Sequence, residues 1–256
     1  MPPIHRSGLC RARREFNQSL LATLAPRTCA ACGEVSAAGL CPGCRARLEV
    51  VTEPRCRRCR AALLHPTAVC TADHSWLRWI HAVYAPWFYR GSGGAIVRRF
   101  KFEGCPVAGE RMLHAMRRAL GGFANGEGRR AKVVAVPMHR QRRRERGYDQ
   151  AERLAIGLGD LLGLSYQDGV LVRRRATLSQ ADPRVTSREA NVAGAFQLAR
   201  PAAVQGSWIL LVDDVCTSGA TARACAAVLR GGGAQRVALV VAALAHPERA
   251  DPDLVS

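Results

Sequence analysis

The 256-residue sequence predicts an α/β fold, a parallel-rich sheet flanked by helices, preceded by a small cysteine-rich domain. Three observations predict it. Short aliphatic runs alternate with helix-patterned segments from residue 132 onward. One such run, residues 209–212, ends in two adjacent aspartates and a turn of hydroxyl and glycine residues. Seven of the eleven cysteines fall between Cys29 and Cys70.

Residues 1–27 read as a basic, helical N-terminal segment in which Arg11, Arg13 and Arg14 precede a short apolar patch at 20–24. That patch is too short for an export signal. The longest clean apolar run, 237–245, has nine residues, whereas a membrane span needs about 20. The expectation is a cytoplasmic protein with no membrane span.

The cysteines then come in pairs: Cys29-x2-Cys32, Cys41-x2-Cys44 and Cys56-x2-Cys59, followed by Cys70. Residues 28–75 are rich in Arg and poor in large apolar side chains, so burial alone cannot fold them and a staple is required. Paired thiols at this spacing suit tetrahedral Zn²⁺, and a cytoplasmic chain disfavours disulfides. The simplest grouping is sequential, with Cys29, Cys32, Cys41 and Cys44 on one ion. Cys56, Cys59 and Cys70 are left for a second ion, although an interleaved pairing fits the spacing too. Four thiolates leave no open position, so the zinc is expected to be structural. Cys10, Cys105, Cys216 and Cys225 carry no such pattern, and Cys216 reads as a small apolar filler.

From residue 76 the texture changes, and 76–246 reads as the main domain. Residues 76–89 have the aromatic and β-branched content of a strand. Helical spacing follows at 91–102 (Ile96, Val97, Phe100) and at 107–120 (Met112, Leu113, Met116, Leu120), then a glycine-rich loop at 121–128. Next come a strand at 132–136, a helix at 148–162, a short strand at 171–173, a long polar loop at 174–193 and a strand at 195–198. A strand at 208–212, a helix at 220–229 and a strand at 237–244 complete the domain, with a tail at 247–256. Such repeated strand–helix units imply a parallel sheet covered on both faces, whose ligands bind beyond the carboxyl ends of the strands.

Segment 209–221 reads ILLVDDVCTSGAT, an apolar strand, two acids, and a hydroxyl- and glycine-rich turn opening a helix. Unpaired N–H groups at a helix start lie at the positive end of its dipole and hold a phosphate dianion. Thr217, Ser218 and Thr221 add hydroxyl donors; Val215, Cys216, Gly219 and Ala220 supply backbone, Gly219 allowing close approach. Asp213 and Asp214 can accept from vicinal sugar hydroxyls or lie near a Mg²⁺ held by diphosphate oxygens. After the strand at 132–136, Pro137-Met138-His139-Arg140 leads into the arginine-rich stretch 140–146, whose guanidiniums suit bidentate oxyanion contact.

The order of parts in 209–221 resembles the fingerprint of the type I phosphoribosyltransferases. The chain as a whole, from about residue 24 to 244, resembles the ComF family of competence-associated, GntX-like proteins. The residues that carry the resemblance are the paired cysteines, Tyr89-Arg90-Gly91 leading to Phe100-Lys101-Phe102-Glu103-Gly104, the VPMHR and RRRERGYDQAERLA stretches, Gln180, Arg188, Asn191 and the VDDVCTSGAT loop.

The resemblance implies a type I phosphoribosyltransferase fold with an N-terminal double zinc ribbon. It implies that Asp213 and Asp214 bind the ribose of phosphoribosyl pyrophosphate (PRPP) with Mg²⁺, that residues 217–221 bind its 5′-phosphate, and that Met138, His139 and Arg140 flank the pyrophosphate. Asp213, Asp214 and Arg140 would then serve the chemistry. Asp149 stands where the family more often has Asn, and Ser218 where Thr is usual. Where the family pattern has a further Cys at position 73, this chain has Asp73 with His74 beside it, so the second zinc site is Cys₃His, Cys₃Asp or lost. Enzymes that salvage 6-oxopurines resemble this loop but carry an Asp where Thr217 stands, which argues against hypoxanthine or guanine as acceptor. No residue names the acceptor or establishes turnover.

The net charge is +18, of which residues 1–130 carry +13, and Arg supplies 36 of the 38 basic residues. Such a balance makes single-stranded DNA or another nucleic acid a candidate partner. Arg55, Arg57, Arg58 and Arg60 beside the zinc knuckles are the candidate contacts; the plainer alternative is that these cations offset thiolate charge. The family resemblance adds competence-machinery proteins as candidate partners. Three functions compete: a phosphoribosyltransferase in nucleotide metabolism or DNA uptake, a catalytically inactive DNA-binding accessory protein that uses its PRPP site for sensing, and a zinc-stapled interaction module whose ligand site only senses PRPP.

Overall fold

The computed structural model describes residues 27–175, except 54, 57, 60–66, 71–73, 75 and 76, together with 192 and 194–245. Most of the expected N-terminal segment, the C-terminal tail, Cys10, Arg57, Arg60, Asp73, Gln180, Arg188 and Asn191 lie outside the described residues.

Among the described residues the first element is a short helix, α1 (Pro42–Ala46), opened by Pro at its first turn. The single strand expected at 76–89 is divided into β1 (Ala82–Tyr84) and β2 (Trp87–Phe88). Pro86 separates them because it has no N–H to give to a ladder. Helix α2 (Gly91–Glu103) ends at Gly104, which takes the left-handed conformation (φ 63°). Helix α3 (Pro106–Leu120) follows, then β3 (Lys132–Ala135).

Helix α4 (Arg140–Arg146) was not legible as a helix. It is wholly polar and buries no residue, so no apolar period marks it. Helix α5 (Gln150–Leu162) starts two residues later than the pattern suggested, because Asp149 caps it by accepting from the Glu152 N–H at 3.1 Å. Strands β4 (Leu171–Arg173) and β5 (Phe196–Leu198) pair antiparallel with each other and stand apart from the main sheet. The last unit is β6 (Trp208–Cys216), α6 (Ala220–Gly231) and β7 (Arg236–Leu244).

The main sheet runs β1–β7–β6–β3, with β2 also on β7, and every pair in it is parallel. Successive side chains on β6 and β7 therefore enter opposite cores. Leu210, Val212, Ala238 and Val240 meet Ile96, Phe100, Met112 and Leu154 from α2, α3 and α5. Ile209, Leu211, Val237 and Leu239 meet Cys225, Ala226 and Leu229 from α6. No helix among the described residues is long and apolar enough to cross a membrane.

The first cysteine knuckle belongs to the same core as the sheet. Cys29, Ala30, Leu40 and Cys44 are buried against the cluster that holds Ile96 and Phe100. Backbone joins the two parts as well. Glu49 O accepts from the Phe88 N–H (2.9 Å), Pro86 O from the Val51 N–H (2.9 Å), and Arg47 O from the Ser92 N–H (3.3 Å). Gly91 makes the last of these contacts possible. Its φ is 50°, and a Cβ there would lie 2.5 Å from Arg47 O. Replacing Gly91 by Ala is expected to cost about 2–3 kcal/mol, from the strained backbone and the forced separation of the knuckle from α2. A melting temperature within 1 °C of the unmodified protein would refute this account.

Candidate functional site

Strand β6 continues through both acids to Cys216, four residues past its legible end. The turn that follows reaches Gly219, in the left-handed conformation at φ 74°, and α6 begins at Ala220. A left-handed residue there reverses the chain tightly, so the first N–H groups of α6 face the strand end. Asp213, Val215, Cys216, Thr217, Gly219, Ala220 and Thr221 line one cavity of about 40 Å³, together with Ala222, Leu239 and Val241. Ser218 is exposed and outside that lining; its Oγ accepts from the Ala220 N–H at 3.4 Å. Cys216 is buried, and burial followed by the nearby Asp213 carboxylate pushes its thiol up to about 12. An uncharged thiol at this position behaves as a filler rather than a nucleophile.

The two acids, adjacent in sequence, face different neighbours because strand side chains alternate. Asp213 turns to the cavity beside α6. Burial, and then the Asp214 carboxylate, hold it well above the usual carboxylate range, opposed by the Asp214 N–H and Lys101. The Asp214 N–H donates to Asp213 Oδ1 at 2.8 Å. Asp214 itself is 8% exposed and turns to the α2 side, where Lys101 Nζ stands 3.3 Å from its Oδ2.

Strand β3 lies directly beside β6, with Ala135 opposite Val212, so the loop after β3 emerges next to the acids. Met138, His139 and Arg140 occupy that loop and the start of α4, outside the cavity lining. His139 caps α4, its Nδ1 accepting from the Gln141 N–H at 3.4 Å; Arg140 is exposed. Asp149, 5% exposed, holds the loop: its Oδ2 accepts from the Met138 N–H at 3.0 Å while its Oδ1 caps α5. An amide on the adjacent carbons would keep one acceptor and lose the other, so the carboxylate has a use here that Asn would not reproduce.

The neighbours of Asp149 hold α2. Tyr148 OH donates to Phe100 O, and Gln150 Nε2 donates to Lys101 O at 3.2 Å. Three consecutive residues thus tie the α2 terminus, the β3 loop and the start of α5 into one frame. Sequence reasoning assigned no role to Lys101, Tyr148 or Gln150. One compositional signal pointed to Lys101: it is one of two lysines in a chain that otherwise uses Arg.

The cysteines gather in the sequential grouping. Cys29, Cys32, Cys41 and Cys44 form one cluster, and Cys56, Cys59, Cys70 and His74 a second; in each, all ligand atoms lie within 4.8 Å of one another. The second cluster has His74 as its fourth member, with Cys56 Sγ 3.5 Å from His74 Nε2 and Cys59 Sγ 3.6 Å from Cys70 Sγ. The donor chemistry fits Zn²⁺: four thiolates in one set, three and an imidazole in the other. Burial pushes the Cys29 thiol up, but N–H groups of Cys32, Cys41 and Ala31 outweigh it and bring it down to about 6. The Cys41 N–H lies 3.4 Å from its sulfur. Cys56 is lowered in the same way, the N–H groups of Cys59 and Arg58 overcoming burial.

Of the candidate nucleic-acid residues, Arg58 is exposed. Arg55 is engaged with the fold, donating from Nε to Thr52 O at 2.9 Å and lying 4.8 Å over the Phe88 ring. Arg47 Nη2 lies 3.6 Å from Cys44 Sγ, as a cation offsetting a thiolate site would.

Comparison with known proteins places these parts. Residues 20–72 match the family described as the double zinc ribbon domain, and residues 144–255 the family described as the phosphoribosyl transferase domain. The DNA utilization protein YhgH of Salmonella typhi is 35% identical over 106 residues, covering 41% of this chain and 46% of its own. The chain thus spans about half the length of that relative. Competence protein F of Haemophilus influenzae is 24% identical over 206 residues, 78% of this chain and 87% of its own. A solved phosphoribosylpyrophosphate synthetase from Mycobacterium smegmatis aligns over 55% of this chain and 36% of its own, with a TM-score of 0.34 and 17% identity. With both domain families matched in one chain and Competence protein F among its relatives, the chain joins a double zinc ribbon to a phosphoribosyl transferase domain, and in that arrangement it is similar to the ComF-family proteins.

Proposed function

We propose that this protein binds PRPP with Mg²⁺ at the β6–α6 turn and uses it in phosphoribosyl transfer linked to DNA uptake or nucleotide metabolism. The observation that carries the reading is the cavity between the acid-bearing end of β6 and the first turn of α6, beside the loop after β3. The α6 N–H groups and the Thr217 and Thr221 hydroxyls suit the 5′-phosphate. Asp213 and Asp214 are carboxylate acceptors for the ribose hydroxyls. Met138, His139 and Arg140 would meet the pyrophosphate, with Asp149 holding the Met138 backbone in place.

In the transfer, the bond from the anomeric carbon to pyrophosphate breaks through an oxocarbenium-like state, and the acceptor forms the new bond. The protein's part is to stabilise charge on the leaving pyrophosphate. Mg²⁺, held by diphosphate oxygens near the acids, would neutralise that charge further. Thr217 argues against 6-oxopurine acceptors. Pyrophosphate release from PRPP, assayed against a panel of bases, separates a transferase from a PRPP sensor. Release with one base supports transfer; binding without release favours sensing.

A second reading, a nucleic-acid accessory protein with a PRPP sensor, is supported by the net charge of +18 and by the relatives named for DNA utilization and competence. Of the four candidate arginines, Arg58 is the described one that is exposed to solvent. Single-stranded DNA should then bind with an affinity that falls steeply between low and physiological salt, and neutralising Arg55, Arg57, Arg58 and Arg60 should weaken it. Binding that ignores salt would exclude this reading.

A further inference from the structure

We propose that Lys101 is a positioning residue of the ribose site, a fixed cation that pairs with Asp214 and holds its carboxyl group aimed at the substrate. The inference rests on the PRPP reading above and gives the site a component from outside the strand-turn-helix unit.

Three observations carry it. Lys101 Nζ is 3.3 Å from Asp214 Oδ2, and both side chains are largely enclosed. The backbone that presents Lys101 is held on both sides, Tyr148 OH on Phe100 O and Gln150 Nε2 on Lys101 O. Those anchoring residues flank Asp149, which fixes the Met138 amide. One three-residue segment therefore sets the positions of both the pyrophosphate loop and the cation at the ribose acids.

The far side of α2 is anchored too. Arg99 Nη1 donates to Cys29 O at 2.7 Å and Arg99 Nε pairs with Glu103 at 2.9 Å. Lys101 is thus delivered by a helix clamped at the zinc knuckle and at the start of α5. A lysine on an unanchored surface helix would lose rotamer entropy on each pairing and hold an acid poorly.

The test is PRPP binding by titration calorimetry at saturating Mg²⁺ for the full chain and for Lys101→Gln and Lys101→Arg. Lys101→Gln is expected to weaken binding about tenfold or more, the effect of removing a charge-assisted partner. Lys101→Arg should restore most of the affinity, because it keeps the cation, and a merely structural loss would not be rescued that way. Lys101→Arg should melt close to the parent, and Lys101→Gln should stay folded at the assay temperature, since the backbone bonds to Tyr148 and Gln150 do not depend on the side chain. Equal affinity for the parent and Lys101→Gln would overturn the role of Lys101 while leaving the PRPP site standing. No rescue by Arg would overturn it as well. Failure of the parent to bind PRPP would overturn both readings.

Discussion

Replacing Asp213 and Asp214 together by Ala is expected to abolish the thermal stabilisation that PRPP with Mg²⁺ gives the unmodified protein. A ligand at 100 times its Kd stabilises the folded state by about 2.7 kcal/mol, which for a chain of this size raises the melting temperature by roughly 5–10 °C. Both acids sit at the carboxyl end of β6, and Asp149, whose carboxylate also acts on Asp213, already holds Met138 and the α5 start. Full retention of the shift in the double variant would remove the acids from the ribose site. An absent shift in the parent would remove the PRPP reading itself.

The same pair carries a pH dependence of known sign. Asp213 in the folded protein binds its proton more tightly than an ordinary carboxyl does. The stability it contributes is therefore fully present below the ordinary carboxyl pKa and is lost as pH rises through the raised one. Wherever it is ionised, the acid is a burden on the fold. Asp213→Asn keeps the acceptor for the Asp214 N–H, so it should raise the melting temperature by roughly 2–4 °C per kcal/mol relieved while PRPP binding falls. A flat difference between parent and variant across weakly acidic to neutral pH would contradict the burial argument.

Removal of zinc should produce the largest loss of stability. Structural Zn²⁺ in small domains contributes on the order of 10 kcal/mol of folding free energy, and here the first cluster is built into the main core through Cys29 and Cys44. A strong chelator should lower the melting temperature by more than 10 °C, and Cys44→Ser should do nearly the same. Because Arg99 anchors α2 on the Cys29 carbonyl, zinc loss should also weaken PRPP binding. Metal analysis should give two zinc ions per chain, falling to one in Cys44→Ser. A chelated protein that melts where the parent does would show that the knuckles fold without metal.

Most elements were legible because their residues are periodic. Helices α2, α3, α5 and α6 and strands β3, β6 and β7 all carry an apolar period or run that burial requires. The elements that escaped notice lack one. Helix α4 has arginines on every face, and the break between β1 and β2 depends on a single proline. The β4–β5 pair was expected in the alternating series, and its separate antiparallel pairing depends on contacts between residues more than twenty apart in the chain.

The candidate site divides along the same line. Local order of residues was enough for Asp213, Asp214 and the turn to Thr221, because strand, acids, hydroxyls and helix start follow one another in a single segment. It was enough for the cysteine pairs, whose spacing is itself the chemistry. Three matters could be decided only by tertiary structure. His74 joins Cys56, Cys59 and Cys70; β3 lies beside β6 and brings Met138 to the acids; and Lys101 reaches Asp214 from a helix more than one hundred residues earlier. Each depends on which strands and helices become neighbours. Burial of the whole chain sets that, and no local pattern encodes it.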